Sequence, residues 1–179
     1  TRFTNYNMRD NLNKAHNNFG RLDADFRLPM GWRLHNGLFA ATQRVDWRNF
    51  EGYAYNATTQ KVDVTGYFLA KRADLLLGDQ IDARKTITVA GRTLDFVGGF
   101  QIQRNDQNRW SQGTAAPRFS VDPFNPEPIY DPGFPYVLNR NVVVNTSSLF
   151  GEALFHLTSK LRLVGGLRWE EIGVDRTEY

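Results

Sequence analysis

Two sets of side chains in this sequence have the chemistry to bind something. The first is aromatic. Trp110, Phe124, Tyr130, Phe134 and Tyr136 fall in or beside a proline-rich stretch, Val121 to Tyr136, where rings offer stacking faces and the phenols and indole donate hydrogen bonds. The same rings could equally pack the stretch against itself or sit in an interfacial girdle. The second set is cationic. Arg33, Arg162 and Arg168 alternate with apolar neighbours, and a guanidinium can grip a carboxylate or phosphate through paired N–H bonds. Each could instead be neutralised inside the fold, as by Glu152 opposite Arg162 or Arg168.

Other chemistry is not indicated. His16, His35 and His156 are far apart and none has a second ligand at metal spacing, so no metal site is expected. Glu170 and Glu171 are adjacent, and adjacent residues of a strand face opposite sides, so they cannot act on one substrate from one face. Cysteine is absent, which removes disulfides and thiolate chemistry. There is no glycine-rich phosphate loop and no Gly-x-Ser-x-Gly elbow. The triplets Asn56-Ala57-Thr58 and Asn145-Thr146-Ser147 match a glycosylation acceptor of the kind that arises by chance. With no catalytic constellation, the chain is not expected to be an enzyme.

The elements that must carry these residues are strands. From Ser148 to Glu171 the sequence alternates in two halves: Leu149, Gly151, Ala153 and Phe155 share one face, as do Leu163, Gly165, Leu167 and Trp169. Glu152, His156, Arg162, Arg168 and Glu170 fall on the opposite face. The short polar link Thr158-Ser159-Lys160 makes the halves an antiparallel hairpin. Upstream, residues 1–17 read as loop with a strand end near Arg2 to Arg9. Alternation then predicts strands over about 20–28 and 32–50, with Pro29-Met30-Gly31 as a turn and 49–60 as a polar connection. Further strands are predicted over 61–77 and 85–104, separated by a turn at 78–84. Parity blurs at Leu75-Leu76-Leu77, so an amphipathic helix over 70–77 is the alternative there. Residues 105–141 hold six of the seven prolines and read as a long irregular loop, which usually signals function or poor order.

Composition narrows the class. In 179 residues, 41% hydrophobic, no apolar run approaches the roughly 18 residues of a helical span. A membrane β-strand needs only about 9–11 residues with alternate ones apolar. Aromatics at 13% would supply the girdles of such a barrel. The net charge of +3 is dispersed among both signs and argues against a nucleic-acid partner. No basic segment followed by an apolar one opens the chain, and Thr-Arg-Phe-Thr-Asn-Tyr reads as the interior of a longer protein. One-sided strands also suit a soluble sandwich, but the short links at 29–31 and 158–160 alternate with long ones at 48–61 and 105–142. That is the asymmetry of an outer-membrane barrel, with tight periplasmic turns and long extracellular loops.

Three stretches resemble the barrel of TonB-dependent outer-membrane receptors for ferric siderophores. They are Leu149 to Trp169, with its Gly-Leu-Arg-Trp strand, Arg92-Thr-Leu-Asp-Phe-Val-Gly-Gly-Phe-Gln101, and Asp122-Pro-Phe-Asn-Pro126. The resemblance covers about residues 18–177. It implies an all-β, antiparallel transmembrane barrel segment of about six strands out of about 22, with the plug domain and the barrel C-terminus lying outside residues 1–179. It also implies the partners, namely a ferric siderophore, outer-membrane lipid, the plug and the TonB complex. No cofactor is expected, and iron enters only within the ferric siderophore. Under the resemblance, Trp110, Tyr130, Phe134 and Tyr136 are loop contacts for that ligand, and Arg33, Arg162 and Arg168 lumen contacts. The alternatives are a soluble antiparallel sandwich or calyx that binds a ligand, and a small complete outer-membrane barrel.

Overall fold

A strand leaves its backbone N–H and C=O groups unpaired unless a neighbour takes them, and here every strand pairs within one antiparallel sheet. The computed structural model describes residues 4–113 and 116–179. Its strands are β1 (Leu12–Arg27), β2 (Arg33–Asn56), β3 (Lys61–Val89), β4 (Arg92–Gln112), β5 (Phe119–Val121), β6 (Tyr136–His156) and β7 (Arg162–Glu178). Their order is β1-β2-β3-β4-β6-β7, with the short β5 paired to the part of β3 that rises beyond the end of β4.

The pairing register shows how the two faces are built. Phe26 pairs with Leu34, Leu34 with Ala83, Phe100 with Leu149 and Leu149 with Trp169, so the apolar positions of six strands fall on one face. These side chains have nothing packed over them: Leu22 is 67% exposed and Leu167 86%. The opposite face carries Asp23, His35, Asp82, Glu152, Arg162 and Arg168. The hairpin read from 148–171 has the expected antiparallel pairing and faces.

The buried hydrophobic core lies at one end only. Met8, Phe50, Tyr67, Leu69, Val121 and Ile129 are nearly inaccessible. They bring the segment before β1 and the proline-rich stretch together against the tops of β2 and β3, and we call this end the loop end. The opposite, short-turn end has connections at Pro29–Gly31, at Ala90-Gly91 and at 157–161. There Thr158 Oγ1 accepts from the amides of Lys160 and Leu161 at 3.1 and 2.9 Å. Trp32 stands edge-on to Phe96 with centroids 6.5 Å apart, and Lys85 Nζ lies 5.2 Å from the Trp32 ring.

Several expected boundaries move. β1 begins at Leu12, inside the segment read as loop; of the strand end placed at Arg2 to Arg9, residues 2 and 3 lie outside the described residues and the remainder is not strand. The connection expected over 49–60 is mostly strand, leaving a turn at 57–60 in which Asn56 Oδ1 accepts from the amides of Thr58 and Thr59. β3 runs unbroken through 70–77 and 78–84, so neither the helix nor the turn considered there forms. The loop expected over 105–141 contracts to 113–135 and contains β5; residues 114 and 115 lie outside the described residues.

The real turn between β3 and β4 is Ala90-Gly91, with φ of 51° and 72°, and Val89 pairs with Arg92 across it. Two positive φ values make a type I′ hairpin. Ala is a poor residue for the first of them, because its Cβ crowds the following carbonyl in the left-handed region. Ala90→Asn is expected to raise stability by about 0.5–1 kcal/mol, read as a higher urea midpoint of the refolded protein in detergent. An unchanged or lower midpoint would contradict this account of the turn.

Candidate functional site

Toward the short-turn end the charged face is largely self-neutralised. His35 sits between Asp25, 3.0 Å from Nδ1, and Asp23, 3.3 Å from Nε2, and Arg21 also contacts Asp23 at 2.8 Å. Arg84 Nε donates to the buried Asp82 at 2.7 Å. Asp95 accepts from the Thr86 hydroxyl at 2.6 Å and meets His156 Nε2 at 2.8 Å. Packing is close because glycines admit rings: Phe150 crosses the space above Gly99 beside Asp82, and Phe39 fills the space above Gly78.

At the loop end the proline-rich stretch is fastened to the tops of β2 and β3 on the apolar side of the sheet. Asp131 is the fastener. Its carboxylate pairs with Arg48, accepts from the Tyr67 hydroxyl at 2.6 Å and from the Gly133 amide at 3.0 Å. Its own amide donates to Asp10 at 2.9 Å. Burial opposes the charge of Asp131, but the Tyr67 hydroxyl, the Gly133 amide and Arg48 outweigh it and hold the carboxyl below the usual carboxylate range. Burial first, and the hydrogen bond to Asp131 second, push the Tyr67 phenol up. The Tyr136 hydroxyl bonds Asp46, and Lys71 Nζ lies between the rings of Tyr136 and Trp110 at 5.7 and 5.8 Å.

The residues singled out from the sequence therefore separate. Trp110, Phe134 and Tyr136 belong to this fastened cap, Phe134 lying 5.8 Å from the Tyr67 ring. Tyr130 is in the same stretch but 60% exposed. The three arginines are on the other face. Arg168 donates to Glu170 at 2.7 and 2.9 Å, Arg162 stands opposite His156, and Arg33 stands between Arg27 and Arg84. Glu152 is opposite Gly166 and Val97, so the pairing imagined between Glu152 and Arg162 or Arg168 is replaced by Glu170 in the case of Arg168. The cause is register: residues two apart on one strand lie closer than the imagined partner across the hairpin.

Sequence reasoning passed over a group on the charged face near the loop end. Arg72 pairs with Arg109 and Arg109 with Arg140, so three arginines form one row across β3, β4 and β6. One step higher on the same face Trp47 and Phe68 meet edge to face, with centroids 5.3 Å apart. Arg72 donates to Gln43 at 2.7 Å, and Arg109 to Gln107 at 3.3 Å. Desolvation, then the neighbouring charges of Arg72 and Arg140, lower the pKa of Arg109. Nothing local marks this group, since its members become neighbours only through the register of three strands.

A long antiparallel sheet with one bare apolar face, one charged face and a capped loop end has the build of a wall segment of a transmembrane β-barrel. The chain belongs to the family described as TonB dependent receptor-like, beta-barrel, which it matches over residues 1–179. None of the curated proteins matches it in sequence. In fold it is similar to the siderophore receptor PiuA from Acinetobacter baumannii (14% identity, TM-score 0.77, 96% of this chain and 27% of that one). It is similar to the open form of the ferric-catecholate import receptor Fiu from E. coli K12 (13% identity, TM-score 0.77, 96% and 27%). It is also similar to BauA, the ferric preacinetobactin receptor of Acinetobacter baumannii (13% identity, TM-score 0.71, 91% and 25%). The chain spans about a quarter of the length of each of these structures.

Proposed function

We propose that this chain is part of the wall of an outer-membrane receptor that takes up a ferric siderophore with energy from the TonB complex. The observation that carries the reading is the bare apolar band backed by a charged face. On β3 the exposed apolar residues of the apolar face are Val89, Ile87, Ile81, Leu77 and Leu75, with Lys85 and Asp79 between them, and they extend about 48 Å along the strand at about 3.4 Å per residue, or about 34 Å of depth at a tilt of about 45°. That is long enough to cross the lipid-facing band of such barrels, which is about 25 Å tall. In this reading Leu163, Leu167 and Trp169 face lipid, Arg162 and Arg168 face the lumen, and the short turns are periplasmic. Trp32 with Lys85 anchors the periplasmic interface. The capped end is extracellular and takes first contact with the ligand. Iron is cargo, held by the siderophore, and passage follows rearrangement of a plug domain inside the closed barrel.

The test is uptake of radiolabelled iron from a panel of ferric siderophores, beginning with a ferric catecholate, in cells that carry or lack the gene. Uptake of at least one of them is expected to fall to background on deletion of the gene and equally on deletion of tonB. Uptake of every panel member that survives either deletion overturns the reading.

A further inference from the structure

We infer that the row Arg72, Arg109 and Arg140, roofed by Trp47 and Phe68, is a binding site for a ligand carrying two or more oxyanion groups of carboxylate or phosphate type. The inference rests on the receptor reading above and names the class of ligand.

Directly paired residues of adjacent strands have Cα atoms about 5 Å apart, and like charges placed opposite one another destabilise a sheet. The row contains two such juxtapositions in succession, Arg72 with Arg109 and Arg109 with Arg140. Elsewhere on this face Arg21, Arg84 and Arg168 each have a carboxylate, and the other arginine row, Arg27, Arg33 and Arg84 at the short-turn end, is exposed to solvent. Here only Arg72 has a carboxylate. Asp74 lies 3.1 Å from its Nε but off the N–H axis, so that buried nitrogen has no hydrogen-bond acceptor. Among the described residues no carboxylate forms an ion pair with Arg109 or Arg140; Glu178, opposite Arg140, is held by Arg176. All three guanidinium side chains are half-buried, where charge-assisted bonds are stronger than in open water. A cationic row in which Arg72 and Arg109 donate to the neutral side chains of Gln43 and Gln107, and which has one carboxylate nearby, Asp74, matches a polyanion. The ring pair beside it gives the organic body of such a ligand a surface to stack on.

The experiment uses the full-length receptor in detergent at constant ionic strength, titrated calorimetrically with inorganic pyrophosphate and, separately, citrate. R109Q and R140Q are each expected to weaken at least one probe by about 10-fold or more, the loss of one charge-assisted hydrogen-bonded contact. R109K should retain part of the affinity. R104Q removes the same charge from the opposite, apolar-side face, since Arg104 pairs with Leu77, and should change nothing. Binding unaltered in both R109Q and R140Q overturns the inference, as does an equal loss in R104Q, which would mark a general field effect. R140Q keeps the test open should R109Q not fold.

Iron uptake separates this inference from the reading beneath it. If wild-type uptake requires TonB but R109Q and R140Q leave its KM unchanged, the anion site is refuted and the receptor reading stands. Arginine-dependent probe binding without any TonB-dependent uptake refutes the receptor reading and leaves the site.

Discussion

Gly99→Ala is expected to destabilise the protein by about 2–3 kcal/mol, the range for forcing extra volume into a packed position. A Cβ on Gly99 would stand 2.5 Å from the Ile81 carbonyl oxygen, 2.8 Å from Asp82 Cβ and 2.7 Å from the tip of the Phe150 ring. The ring can swing away. The carbonyl and the Asp82 Cβ cannot, because β3 and β4 are paired on both sides of this point, so relief requires the strands to part. Two controls set the scale. For Gly78→Ala the three nearest atoms all belong to the far end of the Phe39 ring, and the change should cost about 1 kcal/mol as that side chain swings aside about χ1. Gly165→Ala meets nothing within 4 Å and should be near neutral. Urea midpoints of the refolded variants decide the order, and a Gly99→Ala midpoint equal to that of Gly165→Ala would refute the packing argument.

Asp131→Ala should release the proline-rich stretch without unfolding the sheet. It removes the hydrogen bond from Tyr67, that from the Gly133 amide and the pairing with Arg48, and leaves a partly buried guanidinium without its carboxylate. The cost to docking is about 2–3 kcal/mol after discount for the exposed part of Arg48. Amide exchange over 122–135 should therefore quicken roughly 30- to 150-fold, with β3 and β4 below the cap unchanged. No acceleration, or one spread evenly over the sheet, would contradict the latch. Acidity should act through the same group. Its carboxyl titrates lower when docked than when free, so the docked state binds its proton less readily. The contribution to docking is thus complete above about pH 4, the ordinary carboxylate range. It is lost only as pH falls through the depressed value. A stretch that came loose between pH 5 and 7 would point to a different group.

The sequence was legible where one face is bare and apolar and the other charged. There Leu149 to Trp169 and Gly20 to Leu28 alternate cleanly, and their pairing and faces follow. Toward the loop end both faces carry polar residues, so the period-two signal fades although the strands continue. That is why Leu12 to Asn17, the last residues of β2, the end of β4 from Asn105 and the beginning of β6 were read as connections. Gly78 looked like a turn because glycine usually marks one, whereas here it makes room for Phe39. Ala90 hid the real turn because alanine is not the residue such a turn prefers. The arginine row was out of reach for another reason: Arg72, Arg109 and Arg140 sit on different strands, and no local pattern encodes which residue of one strand faces which of the next.

Phe39 above Gly78 and Phe150 above Gly99 have one more effect. Each ring occupies volume that its glycine neighbour leaves vacant, so it is recessed into the sheet and does not stand out from it. Large hydrophobic groups are thereby accommodated on the charged face with little loss of clearance above it.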